Sequence, residues 1–287
     1  MFQRNDSAGS AGAGSLIIVG GHEDKTHEQI ILRAIAARAE EGALVVVTAA
    51  SNVPDELWAD YEPAFRGLGV RDVRHLHVDT REEARDPERL AVLDGAAVVF
   101  FTGGNQLKLT SQLGDTPIYQ RVCEIYEQGG CIAGTSAGAS VVTETMLVTG
   151  DSSASPKVED AVRMAPGFGL LPGVIVDQHF AERGRIGRLI GAVAQNPRML
   201  GVGIDEDTAV VCDGGRAFTV LGAGGVYVVD GSNVTHSNVV DEARDRTLAV
   251  FDLRVHLLNV GDRFDLAERR PACGSGDAAE RRLAGAR

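Results

Sequence analysis

The stretch GGCIAGTSAGASVV, residues 129–142, joins a short apolar run to a helix-like run through a single serine, Ser136, hemmed in by small residues. Bulky neighbours on a sharp strand-to-helix turn would collide with the strand or the helix, and Gly134 and Gly138 remove that crowding. The spacing Gly-x-Ser-x-Gly therefore reads as a nucleophile elbow, with the serine hydroxyl presented at the carboxyl end of a strand and the next backbone N–H, that of Ala137, left to bind an oxyanion. A chain with 35 glycines can also place this pattern in an ordinary tight turn, so its surroundings must decide between the two.

Working outward, short apolar runs alternate with longer amphipathic ones. SLIIVGG (15–21) precedes the helix-like HEQIILRAIAARAEEG (27–42), and ALVVVTAAS (43–51) precedes DELWADYEPAFRGLG (55–69). The rhythm continues through VRHLHV, REEARDPERLAVLDG, AAVVFFTGG, a helix over NQLKLTSQLGDTPIYQRVCEIYEQGG (105–130) and CIAGTSAG. Strands apolar on both faces with helices between them predict a mostly parallel, doubly wound α/β sheet. After about residue 165 the runs GVIVDQHF, LGVGIDEDTAVVCDGG, AFTVLGAGGVYVVDGS and LAVFDLRVHLLNVGDRFDL are short and Gly-bounded, which predicts antiparallel strands at one edge in the C-terminal third. The Gly/Ala/Ser-rich leader, residues 1–14, and the charged tail, residues 268–287, lack the apolar content to order themselves; residues 15–267 are expected to form one domain.

Composition excludes several function classes. A net charge of −12 and the absence of a basic face argue against a nucleic-acid binder. Four cysteines without CxxC spacing predict neither a zinc site nor a disulfide framework, and fit a reducing cytoplasm. No run approaches the roughly 20 apolar residues that span a bilayer, so no membrane association is expected.

In an open parallel sheet ligands bind beyond the carboxyl ends of the strands. His22 and Glu23 follow the first run, Asn105 and Gln106 follow AVVFFTGG, and Ser136 follows GCIAGT. An N–H from Gly103 or Gly104 is placed to join that of Ala137 as an oxyanion hole, while TGGNQ also has the form of a simple helix cap. Among seven histidines, His179 in GVIVDQHFAERGRIGRL is the strongest candidate for the general base, since it ends an apolar strand. His75 and His77 share a strand face without a third ligand near them in sequence, and read as strand or surface residues. Glu206 in LGVGIDEDTAVV is the choice for the orienting acid, because alternation turns it away from Asp205 and Asp207; Asp151 and Asp177 remain open. Arg183, Arg185 and Arg188 have the spacing either of a carboxylate-binding cluster or of a solvated helix face.

Taken together, FFTGGNQLKL, GTSAGAS, LLPGVIVDQHFAERGRIGRL and LGVGIDEDTAVV resemble, in the same order, the serine exopeptidase family that contains cyanophycinases and aspartyl dipeptidases (peptidase E). The DQHF string with its following arginines is similar to the cyanophycinase branch. The resemblance implies a glutamine-amidotransferase-like three-layer α/β sandwich, with Ser136 as nucleophile, His179 as base and Glu206 as its acid. It implies a substrate pocket of Gln106, Asp177, Gln178, Arg183, Arg185 and Arg188. It also implies a homodimer, no metal or cofactor, and hydrolysis of cyanophycin, a poly-aspartate bearing arginine on its side chains, to β-aspartyl-arginine. An aspartyl dipeptidase confined to short peptides, or a polymer-binding protein that does not cut, are the rival expectations.

Overall fold

The computed structural model describes residues 14–40, 42–149, 162–240 and 246–274. The first half of the chain alternates β1 (Ser15–Val19), α1 (Ile30–Ala36), β2 (Ala43–Val47), α2 (Pro54–Gly67), β3 (Val73–Leu76), α3 (Pro87–Ala91), β4 (Ala96–Phe101), α4 (Gln106–Leu113), α5 (Pro117–Glu127), β5 (Cys131–Thr135) and α6 (Ala137–Val141). There follow β6 (Thr145–Thr149), β7 (Arg163–Pro166), β8 (Val174–Gln178), α7 (Ile186–Gln195), β9 (Leu200–Ile204), β10 (Thr208–Asp213), β11 (Ala217–Gly222) and β12 (Val226–Asp230). The last elements are β13 (His236–Ser237), β14 (Val250–Phe251), β15 (Arg254–Leu258), β16 (Arg263–Asp265) and β17 (Arg270–Ala272).

Nine strands form the larger sheet in the order β17-β16-β11-β10-β1-β5-β4-β2-β3. Its parallel part runs from β1 to β3, and β10, β11, β16 and β17 extend the β1 side antiparallel. The parallel strands are apolar on both faces because both faces are covered. Ile17, Val19, Leu44, Val46 and Phe100 pack with Ile31, Leu32 and Ile35 of α1 and Phe65 of α2. Leu16, Ile18, Val45, Val99 and Ile132 pack on the other side with Leu109 of α4, Val122 of α5 and Val141 of α6. This is the α/β class expected from the alternating runs.

Three expectations change in detail. The segment 105–130 is two helices, not one: Asp115 turns into the left-handed region at φ 56°, and Thr116 caps α5, its Oγ1 accepting from the N–H of Tyr119, with Pro117 at the first helical position. The C-terminal strands do not all join one edge. β8, β9, β12 and β15 form a separate sheet in the order β15-β12-β9-β8, in which β8 and β9 run parallel. Val176, Val202, Ile204 and Val228 of this sheet enter the same core as Leu16 and Ile18, while Ile175 and Val229 meet Leu189 and Val193 of α7. A strand buried on both faces carries no polar alternation, which is why its sheet and direction are invisible in the sequence. Finally, strand pairing reaches β17, past the boundary expected at residue 267.

Among the described residues no helix is long and apolar enough to cross a membrane. Since Ile204 is fully buried where the second sheet meets the first, Ile204→Ala is expected to cost about 2–5 kcal/mol. A urea unfolding curve checks this through a lowered midpoint at unchanged slope.

Candidate active site

Ser136 sits between β5 and α6 with φ 53° and ψ −111°, a conformation that non-glycine residues adopt only when the surrounding structure enforces it. The enforcement is visible in the two elbow glycines. A Cβ on Gly134 would lie 2.3 Å from the carbonyl oxygen of Gly138, and one on Gly138 would lie 2.2 Å from that of Phe101. The backbone passes too close to itself for any side chain, so the spacing read from the sequence is a packing requirement of this turn.

The carboxyl end of β1 organises what faces the serine. Three consecutive carbonyls accept three backbone N–H groups: Val19 from Ser136 at 3.1 Å, Gly20 from His179 at 2.8 Å, and Gly21 from Asp207 at 2.8 Å. Through them the elbow, the end of β8 and the turn after β9 converge. His179 Nε2 then lies 3.0 Å from Ser136 Oγ, and His179 Nδ1 lies 2.6 Å from Glu206 Oε1. A carboxylate can only accept, so Nδ1 carries the proton and Nε2 is left with its lone pair toward the serine hydroxyl. His179 is 4% exposed, and burial holds its pKa below the ordinary 6.5; the Glu206 hydrogen bond acts in the opposite sense and the charge of Arg183 adds to the lowering. The imidazole is therefore neutral near pH 7 and able to take a proton.

Glu206 reaches His179, although not as a strand residue. β9 ends at Ile204, and residues 205–207 form a turn in which Asp207 takes φ 47°. Asp205 is occupied with the N–H groups of Ala181 and Gly225, and Asp207 with that of Asp24, which leaves Glu206 for the imidazole. Of the two other acids, Asp177 is fully buried between arginines and Asp151 lies outside the described residues.

Gly103 borders the elbow: a Cβ there would stand 3.5 Å from that of Ser136. Gly104, at φ 141°, passes close over Ala50, and the side chain of Asn105 caps α4 through the N–H groups of Leu107 and Lys108, so TGGNQ is both a helix cap and a wall of the site. Gln106 donates through Nε2 to the carbonyl of Leu147. The arginines divide. Arg188 donates through Nε (2.6 Å) and Nη2 to Asp177, and Arg185 Nη1 donates to Asp177 at 3.2 Å and to Gln178 Oε1 at 2.7 Å. Burial pushes the Arg185 guanidinium down to about 10, still charged at neutral pH. Arg183, two residues before Arg185, is exposed.

One connection in the site has no signal in the sequence. Glu23, 3% exposed, accepts from Tyr61 Oη through Oε1 and from Thr135 Oγ1 at 2.6 Å through Oε2. It thus ties the residue before the nucleophile candidate to α2. Its place after the first apolar run marked it as a strand-end residue, and no spacing signal connects it to Tyr61 or Thr135. His75 and His77 both meet Thr48 Oγ1, at 2.8 and 3.1 Å, and Cys131, buried on β5 with its thiol pushed up to about 12 by that burial, offers no thiolate.

A sheet that raises a strained serine into line with a neutral imidazole and a carboxylate, walled by a glycine loop, has the geometry for acyl transfer through that serine. Residues 16–220 match the model of peptidase family S51, and the chain belongs to that family. It is 40% identical over 258 residues to a cyanophycinase of Trichormus variabilis, covering 89% of this chain and 86% of the relative. It is also 36% identical over 263 residues to a cyanophycinase of Geminocystis herdmanii, covering 91% and 96%. A peptidase from an acI-B1 actinobacterium shares the fold with TM-score 0.66 at 22% identity, over 88% of this chain and 97% of the other.

A methyl group on Gly21, which has φ 109°, would lie 2.3 Å from His179 Cε1 and 2.6 Å from Nε2. Gly21→Ala is therefore expected to displace the imidazole and cut turnover by about 100-fold or more, measured as kcat with thermal unfolding as the control for folding. The acid limb of kcat/KM should fall below pH 6.5, because activity needs the unprotonated imidazole and its pKa is depressed. Arg183→Gln should move that limb upward by removing a positive neighbour, as a pH–rate profile would record.

Proposed function

We propose that this peptidase is a serine-type cyanophycinase that removes β-aspartyl-arginine units from the end of a poly-aspartate chain bearing arginine on its side chains. The observation that carries the reading is the continuous line Ser136 Oγ, His179 Nε2 and Nδ1, Glu206 Oε1, with contacts of 3.0 and 2.6 Å. The similarity to cyanophycinases over about nine-tenths of the chain supports the choice of substrate.

The reaction is acyl transfer. Ser136 Oγ attacks an aspartyl backbone carbonyl as His179 Nε2 takes the hydroxyl proton, and Glu206 stabilises the imidazolium that forms. The N–H of Ala137 and one from the Gly103–Gly104 turn hold the tetrahedral oxyanion. The same imidazole protonates the leaving amine, then activates water to release the acyl group and restore the serine.

Of the proposed pocket residues, exposed Arg183 is the cation able to meet the carboxyl group at the polymer end. Arg185 and Arg188 both bind Asp177, and Arg185 also binds Gln178, so these groups would serve as a fixed polar wall of the pocket, to which Gln106 adds an amide. A zwitterionic polymer feels little net repulsion from a protein of charge −12. The reading includes a cytoplasmic homodimer in which hydrolysis needs no cofactor.

Incubation with cyanophycin, followed by mass spectrometry of the products, tests this. Wild type is expected to release β-aspartyl-arginine, Ser136→Ala to lose turnover by several orders of magnitude while remaining folded, and Glu206→Gln to lose about 10⁴-fold. Cleavage confined to aspartyl dipeptides, or an active Ser136→Ala, would overturn the proposal.

A further inference from the structure

His22 has no part in the hydrolysis just derived, yet it stands against two of the three groups that do. Its Nδ1 lies 3.7 Å from Glu206 Oε2, the carboxylate oxygen not used by His179. Its ring meets that of His179 edge-on, with centroids 5.5 Å apart and planes at 80°. Each of the three residues offers a ligand atom within 4.8 Å of the other two. They come from three backbone segments held together by the carbonyls at the end of β1, so the cluster is set by the fold and not by one flexible loop.

We propose that His22, His179 and Glu206 form an inhibitory site for Zn²⁺ or a similar transition-metal ion, which switches the hydrolase off by capturing its base. Two imidazoles and one carboxylate are a ligand set that zinc takes in three-ligand sites with the fourth position left to water. Zinc bonds of about 2.0–2.2 Å in tetrahedral array place neighbouring donor atoms roughly 3.3 Å apart. Here His179 Nδ1 lies 2.6 Å from Glu206 Oε1 and His22 Nδ1 lies 3.7 Å from Glu206 Oε2, one imidazole on each carboxylate oxygen, and with the three ligand atoms within 4.8 Å of one another small side-chain movements bring the set to that spacing. The His22 side chain is 73% exposed, which gives the ion a path from solvent, and burial around His179 closes the other side.

The consequence for the reaction follows from proton placement. His179 can bind a metal through Nδ1 only with a lone pair on that atom, so its single proton must sit on Nε2. Nε2 is the atom that faces Ser136 Oγ. Once protonated it can donate to the serine but cannot accept from it, and the nucleophile stays a hydroxyl. The imidazole remains neutral throughout and the ion leaves again when chelated, so inhibition is reversible and no covalent bond is formed or broken. Metal capture itself needs no catalysis, whereas the inhibition rests on the serine mechanism proposed above.

The two parts separate experimentally. Titration of Zn²⁺ into Ser136→Ala by isothermal calorimetry should give one bound ion per chain, whatever the true substrate. Adding His22→Asn, chosen because asparagine tolerates the left-handed φ of 51° at this position, should weaken binding by at least the 10- to 100-fold that loss of a supporting metal-site group costs. With Ser136 present, Zn²⁺ should inhibit cyanophycin hydrolysis reversibly to chelator. The half-inhibitory concentration should rise by the same factor in His22→Asn, each protein being compared with its own metal-free rate. Zinc binding that is absent, or equally tight without His22, overturns the site; His22-dependent binding that leaves hydrolysis unaffected overturns the switch. His22-dependent binding to a protein that does not cut cyanophycin upholds the site and removes the substrate reading instead.

Discussion

Three carbonyl oxygens in a row, those of Val19, Gly20 and Gly21, hold the site together. Each accepts a backbone N–H from a different part of the chain: Ser136 at the elbow, His179 after β8, and Asp207 next to Glu206. These partners lie more than a hundred residues along the chain from β1. Only a central strand with neighbours on both sides can recruit them, and β1 lies between parallel β5 and antiparallel β10. The glycines at 20 and 21 follow from the same constraint, since a Cβ at either would strike Asp205 or His179. Backbone hydrogen bonds place the imidazole, and its side-chain bonds then need only to choose a tautomer.

Around this frame the polar side chains are bound in pairs that leave few buried groups without partners. Asp177 is shared by Arg185 and Arg188 in the interior, where an isolated charge of either sign would be far more costly. Glu23 spans Tyr61 and Thr135 beneath the elbow. The groups that face outward at the site include Ser136, one edge of Glu206, His22 and Arg183. Burial of His179 lowers its proton affinity, and the carboxylate contact limits how far, which is the balance a base needs near neutral pH.

Much of this was legible in the sequence, for reasons that can be traced. Ser136 was marked by the glycines its turn cannot do without, and His179 by its place at the end of an apolar run. Glu206 was reached by an argument from strand alternation, whereas a turn separates the three acids, each drawn to its own partner; a turn of three polar residues and a strand end look alike in sequence. The second sheet was hidden because GVIVDQ and LGVGI are apolar on both faces and could pair in either direction. The arginine spacing fits a ligand-binding cluster and a solvated helix face equally, and the structure buries two of the three against an internal acid. Asp177 lies only eight residues before Arg185 and eleven before Arg188, but nothing in spacing distinguishes a buried internal partner from a second pocket wall.

The fold is built to turn Ser136, and no other hydroxyl or thiol, into a nucleophile by placing a neutral imidazole in line with it. The most direct measurement is labelling of the native wild-type protein with a fluorophosphonate, followed by peptide mass spectrometry. A single adduct on Ser136, lost in His179→Ala, is expected. An adduct on a different residue, or a Ser136 adduct that forms equally well without His179, would contradict it.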